Sequence, residues 1–310
     1  MLLGASIWYA VSQQNAENWP ALGDVEPALL LALFVSIFLS TIFLPGLQFW
    51  LVTQPFVTGQ RLSVFTMQGL TAGSALLNYT PVKAGLIGRV AYLRYFHGVG
   101  LRAAVISHTL IVIVFVAACG ITFLVTLWRP QIDIGWVAAI ITAFLIAVLV
   151  GAPLLGLLVP LSVPMDPEMR HSRKRQVGFL GLCFLIQGLG LAATTVRWWL
   201  VFAILDRPAT FTDAWLAAVV HMVTIAGGPA NGLGFREWLI GLAGQRGLFS
   251  PGLQIDLGAG VAAALFDRAV ESIVIVAFGL FGLALLRRGL RAQKSAAEQG
   301  VLTEGEGSTG

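Results

Sequence analysis

Long apolar runs separated by short charged connections dominate the chain. Residues 28–60 and 134–165 contain no charged residue at all. Runs beyond about 18 apolar residues read as membrane spans. Full spans are predicted at 28–51, 103–127, 135–160, 177–203 and 258–286, each close to the ~20 residues a bilayer requires. Between them lie two composite regions, 62–97 and 210–248, each made of two apolar pieces with a Pro/Gly-rich interruption. The pieces suit either full spans or a hairpin of half-helices.

The two interruptions share their chemistry. The first reads Asn78-Tyr-Thr-Pro-Val-Lys-Ala-Gly-Leu-Ile-Gly-Arg89, the second Gly227-Gly-Pro-Ala-Asn-Gly-Leu-Gly-Phe-Arg-Glu237. Pro81, Gly85 and Gly88 mark the first break; Pro229, Gly232 and Gly234 mark the second. A backbone break at membrane depth leaves amides and carbonyls without partners, so it persists only where it is buried or lines a wet cavity. Paired interruptions in two halves of a membrane protein point to a substrate site near the bilayer midplane.

Charge sets the expected orientation. Arg170, Arg173, Lys174 and Arg175 follow the 135–160 span, and Arg287, Arg288, Arg291 and Lys294 follow the last one. The positive-inside rule makes both cytoplasmic, including the C-terminus. Arg129 and Arg207, with Asp133, Asp206 and Asp256, then fall outside. This scheme closes only if each composite region enters and leaves on one face, as a re-entrant hairpin. The expected fold is therefore an all-α polytopic membrane protein with an inverted repeat. It forms a single transmembrane domain over 1–286, with halves at 28–127 and 177–286 linked by span 135–160. A disordered cytoplasmic tail follows over 287–310. Local matches support the repeat: Gln48 aligns with Arg197, Pro81 with Pro229, and Arg89 with Arg236, at a near-constant offset of 147 to 149. Chance similarity among Leu/Trp/Val-rich helices is the alternative.

Composition agrees with a membrane location. Apolar residues make up 57% of the 310 positions and charged residues 11%, against about 25% charged in soluble domains; the mean hydropathy is +0.84. The net charge of +4 reflects loop arginines and is no argument for nucleic acid. Cys119 and Cys183 lie inside apolar spans and read as small buried hydrophobes. No zinc, phosphate-loop or dinucleotide motif occurs, and no metal or other cofactor is expected. The segment 1–11 is apolar but short and lacks the basic start of a signal peptide. It suits the end of a span that begins further upstream.

The half-helices after Pro81 and Pro229 would present free amides and a positive dipole end. With Lys83 and Arg89 on one side and Arg236 on the other, the environment suits a phosphate or carboxylate, for which an anionic lipid head group is the natural source. The alternative is a kinked structural helix whose basic residues snorkel to the interface. In the last span, Phe266-Asp-Arg-Ala-Val-Glu271 places three ionisable groups where they are expensive. Asp267 and Glu271, four apart, share a helix face, and Arg236, Glu237 or Arg268 are candidate partners. They would line a head-group path or form an internal ion-pair staple. His108 and His221 are weaker candidates, and Arg197, beside Trp198 and Trp199, suits an interfacial anchor. Asn78, Tyr79 and Asn231 flank the breaks and suit partners for loose backbone groups.

These motifs resemble those of the lysylphosphatidylglycerol synthase transmembrane (flippase-like) family. The stretch from Pro81 to Arg89 looks like its first signature. Gly232-Leu-Gly-Phe-Arg-Glu237 is similar to its Gly-Leu-Gly-Val-Arg-Glu signature, and Arg268 resembles the arginine of the span that follows. The resemblance covers about residues 28–286 and implies a helical membrane fold that handles phospholipid or polyprenyl-phosphate lipids. These 310 residues include no stretch resembling the soluble aminoacyl-transfer domain of the bifunctional members, so lysyl-lipid synthesis by them alone is not expected, and 105–110 lacks the family's Glu-Arg pair.

The reading that follows is a lipid translocase, in a bacterial-type inner membrane, for an anionic or aminoacylated lipid. Lys83, Arg89 and Arg236 would hold the head group, while Glu237, Asp267 and Arg268 balance charge. The alternative is a membrane enzyme or accessory subunit in lipid-linked glycan or phospholipid modification, with Asp267 and Glu271 as its acidic pair. A third reading is a scaffold that recruits a soluble lipid-modifying enzyme through the basic loop 166–175.

Overall fold

A computed structural model describes residues 25–79, 84–129, 131–158, 163, 165–166, 169, 171–207, 209–227, 235–246, 249 and 257–306. The described chain is helical, without a β-strand. Five helices are long and apolar enough to cross a membrane: α1 (Pro27–Phe56), α4 (Leu101–Trp128), α5 (Ile134–Leu158), α6 (Arg173–Ile204) and α9 (Leu257–Glu306, with its apolar part over Leu257–Arg287). They fall on the five spans expected from the sequence. Each composite region contributes two shorter helices: α2 (Val64–Leu77) and α3 (Ala84–His97), then α7 (Phe211–Gly227) and α8 (Phe235–Gln245).

Local chemistry explains several ends. Ser63 starts α2 by accepting the Thr66 amide, and Ser172 starts α6 by accepting that of Arg175, both ordinary N-caps. Thr210 and Asp213 cap α7 reciprocally: Asp213 Oδ2 accepts the Thr210 amide and Thr210 Oγ1 accepts the Asp213 amide. In α1, Pro45 offers no amide to the carbonyl of Thr41, four residues back, and its ring crowds that carbonyl. The helix widens into a π turn over Leu39–Phe43, with the Leu44 amide reaching Leu39 O. π turns of this kind often mark functional positions.

Helix α6 is the hub. It packs against α1, α4, α5, α7 and α9, while α9 is clasped between α2 and α8. Glycines let α9 come this close. A Cβ on Gly282 would sit 2.6 Å from Gly69 O, and one on Gly260 would sit 2.6 Å from Gly241 Cα. Small residues at such crossings let backbones touch where lipid offers no hydrophobic drive between helices. Around the outside, Leu145, Ile146, Leu149 and Val150 of α5 and Leu182, Leu185 and Leu189 of α6 are exposed. A contiguous apolar exterior of this extent suits hydrocarbon rather than water.

Two details differ from the sequence expectations. Gly85 and Gly88 are helical residues of α3, not part of a break; a Cβ on Gly85 would meet Ser74 O of α2, so this glycine serves a helix contact. The backbone of α9 continues as helix to Glu306, where a disordered tail was expected, because Ala, Gln, Lys and Glu in that stretch favour helix. Cys119 and Cys183 are free and buried.

Candidate functional site

The predicted site residues divide between two places. Arg236 and Glu237 lie in the first turn of α8, immediately after the second interruption, and Asp267, Arg268 and Glu271 lie in α9. The Gly241–Gly260 contact and a hydrogen bond from Arg236 to the Ala264 carbonyl (3.4 Å) show the two helices running in opposite directions. That geometry brings the start of α8 to the middle of the apolar part of α9. All five side chains are buried, with Arg236, Glu237 and Asp267 at 0% exposure.

A third arginine completes the cluster. Arg197 of α6 grips Asp267 with two parallel hydrogen bonds, Nε to Oδ1 at 2.5 Å and Nη2 to Oδ2 at 2.7 Å. It also approaches Glu271 Oε2 at 3.2 Å and donates to Thr41 Oγ1 at 3.3 Å. The π turn of α1 thus supplies a neutral acceptor for the nitrogen the carboxylates leave over. Arg236 reaches Asp267 Oδ2 and Glu271 Oε2, each at 3.1 Å, and Arg268 reaches Glu271 Oε2 at 3.2 Å. Glu271 Oε2 therefore meets all three arginines. Arg236 Nη1 is 3.1 Å from His221 Nδ1 of α7. Because a guanidinium can only donate, that ring nitrogen accepts.

Arg197, Arg236 and Arg268 balance Glu237, Asp267 and Glu271, so the cluster has no formal net charge. Isolated buried ions cost several kcal/mol each after relaxation, and opposite charges with full hydrogen bonding offset that cost. The compensation is incomplete at Glu237. Among the described residues neither of its oxygens accepts a hydrogen bond; its nearest cations are Arg268 Nε at 3.6 Å and Arg236 Nε at 4.0 Å.

The cluster also touches the edge of the first interruption. The Ser272 hydroxyl donates to the Arg268 carbonyl, so its oxygen accepts from Tyr79 OH at 3.4 Å. The Arg268 guanidinium lies 6.0 Å from the centre of the Tyr79 ring. Tyr79 directly precedes 80–83 and Phe235 directly follows 228–234. Those two stretches carry Pro81, Lys83, Pro229, Asn231, Gly232 and Gly234 and lie outside the described residues.

Arg89 stands apart. No described contact joins it to the ionic cluster. Its guanidinium lies over the ring of Phe49 in α1, 3.5 Å from the centre, and Phe49 in turn stacks with His108. Among the described residues no ion pair or hydrogen bond of the Arg89 side chain is seen, although the residue is only 9% exposed. A cation–π contact contributes about 0.5–2 kcal/mol, less than the several kcal/mol that burying an ion costs.

Arg197, which beside its tryptophans reads as an interfacial anchor, lies instead inside the cluster, and His221 joins it through Arg236. The available signal was that an arginine inside a span is a functional candidate by default. Gln48, the residue aligned with Arg197, is buried, with both amide atoms lacking a partner among the described residues. Asp267 and Glu271 share a face as predicted, and both face arginines. No protein-family model, curated protein or solved structure matches the chain.

Proposed function

We propose that the protein is a lipid translocase of the flippase-like kind, moving a lipid with an anionic or aminoacylated head group between leaflets. The observation that carries this reading is the convergence on Arg268: Glu237 from the edge of one interruption and Tyr79 from the edge of the other meet the same buried helix. Ionisable groups inside membrane spans are costly and commonly mark a polar path. A cluster in which arginines share carboxylates suits such a path. A phosphate can take over an arginine from a carboxylate, or an ammonium a carboxylate from an arginine, without leaving a bare charge. The resemblance to the lysylphosphatidylglycerol synthase transmembrane family supports the same reading. Two re-entrant hairpins, an inverted repeat, an inner-membrane location and a cytoplasmic C-terminus all belong to this proposal.

The enzyme alternative has less support, because Asp267 and Glu271, the pair it would use, are engaged by Arg197 and Arg236. The test is leaflet exchange of labelled phosphatidylglycerol, its lysyl form and a neutral diacylglycerol in liposomes containing the purified protein. Exchange of a charged lipid that falls in Arg268→Gln and Glu237→Gln supports translocation. Absence of exchange for every lipid by a folded protein rejects it.

A further inference from the structure

We infer that Arg89 is a separate anion site, built to receive a phosphate group beside α3, and that the ionic cluster of α6, α8 and α9 is not where the phosphate first binds. The inference deepens the lipid-translocation reading and rests on it for the carrier of the phosphate, though not for the site itself. The argument begins with charge. No aspartate or glutamate occurs between Glu26 and Asp133, a stretch that includes α1, α2, α3 and α4. The helices around Arg89 therefore hold no carboxylate to neutralise it. The aligned arginine of the other half, Arg236, has two carboxylates within 3.1 Å.

Geometry points the same way. One face of the Arg89 guanidinium is covered by Phe49, which orients the planar fork and leaves its N–H edges to an outside acceptor. A guanidinium held in this way matches the paired oxygens of a phosphate. Next to it in sequence, Gly88 is exposed, and a Cβ there would meet nothing within 4 Å. One turn back from Arg89, on the same face of α3, Gly85 is pressed against Ser74, and Asn78 Oδ1 accepts the Leu86 amide. Helix α3 is thus anchored on α2 along the face that carries Arg89, which fixes the position of the guanidinium over Phe49, while its flank at Gly88 is open. A lipid phosphodiester and a free phosphate share the required chemistry.

The experiment measures thermal unfolding of the full chain in a neutral detergent with added phosphatidylglycerol, diacylglycerol or inorganic phosphate. Wild type, Arg89→Gln and Arg89→Lys are compared. Phosphatidylglycerol should raise the wild-type melting temperature and diacylglycerol should not. In Arg89→Gln the half-saturating phosphatidylglycerol concentration should rise about tenfold or more, with Arg89→Lys between the two. Without lipid, Arg89→Gln should melt no lower than wild type, since it removes an uncompensated buried cation. A shift produced equally by inorganic phosphate would make free phosphate the ligand of the same site. An unchanged phosphatidylglycerol response in Arg89→Gln overturns the inference, as does a melting temperature lowered equally under all conditions, which would mark a structural arginine. Leaflet exchange on the same proteins separates the two readings. Exchange with unaltered binding in Arg89→Gln removes the Arg89 site and leaves translocation standing. Arg89-dependent binding without any exchange does the reverse.

Discussion

Arg197 and Asp267, seventy positions apart, form a two-pronged ion pair that joins α6 to α9. The same carboxylate serves Arg236 at 3.1 Å. Asp267→Asn would leave two buried guanidiniums short of a counter-charge. Breaking a buried pair from one side costs about 3–5 kcal/mol, so this variant should melt far below wild type in detergent. Adding Arg197→Gln should recover part of the loss. A double variant no better than the single one would show that Asp267 does not act through Arg197.

Glu271 and Glu237 should respond in opposite ways. Glu271 Oε2 lies within 3.2 Å of nitrogens from three arginines, whereas Glu237 accepts no hydrogen bond among the described residues. Glu271→Gln is expected to cost several kcal/mol and to lower the yield of folded protein. Glu237→Gln should unfold close to wild type while losing lipid exchange. Equal destabilisation by both changes would refute this division of labour.

The glycine contacts of α9 predict a sharp contrast between alanine substitutions. Gly282→Ala pushes a methyl group against the backbone of Gly69, and overpacking of this sort costs about 1–3 kcal/mol. Gly120→Ala, which would meet nothing within 4 Å, should be neutral or slightly stabilising, since alanine favours helix. Melting temperatures of the two variants provide the check.

Asp133 allows a pH test outside the spans. The hydrogen bond from Arg129, aided by the Trp136 amide, holds its carboxyl well below the usual carboxylate range. A group with a depressed folded-state pKa contributes stability that is fully present above its unfolded value of about 3.9 and is lost as pH falls toward the folded value. The difference in melting temperature between wild type and Asp133→Asn should be flat from about pH 5 to 8 and shrink below about pH 4. The pair is exposed, so the difference should be small and fall further in high salt. A difference that instead grows on acidification would contradict the assignment.

The five spans were legible in the sequence because the length and apolarity of a helix are local properties that need no partner to be read. The same holds for the shared face of Asp267 and Glu271, which follows from a spacing of four. Other features depended on neighbours far along the chain. Arg197 looks interfacial beside its tryptophans until α9 supplies Asp267, and Thr41, in the π turn of α1, gains a donor only because α6 brings Arg197 to it. Gly85 resembled a break residue, yet the approach of α2 gives it a packing role. The sequence by itself determined which segments are apolar helices and how many charges they carry. The tertiary structure decided which charges meet: it neutralised Arg236 and left Arg89 against a phenylalanine ring. Charge compensation depends on distances of a few ångströms between helices, which no pattern along a single helix records.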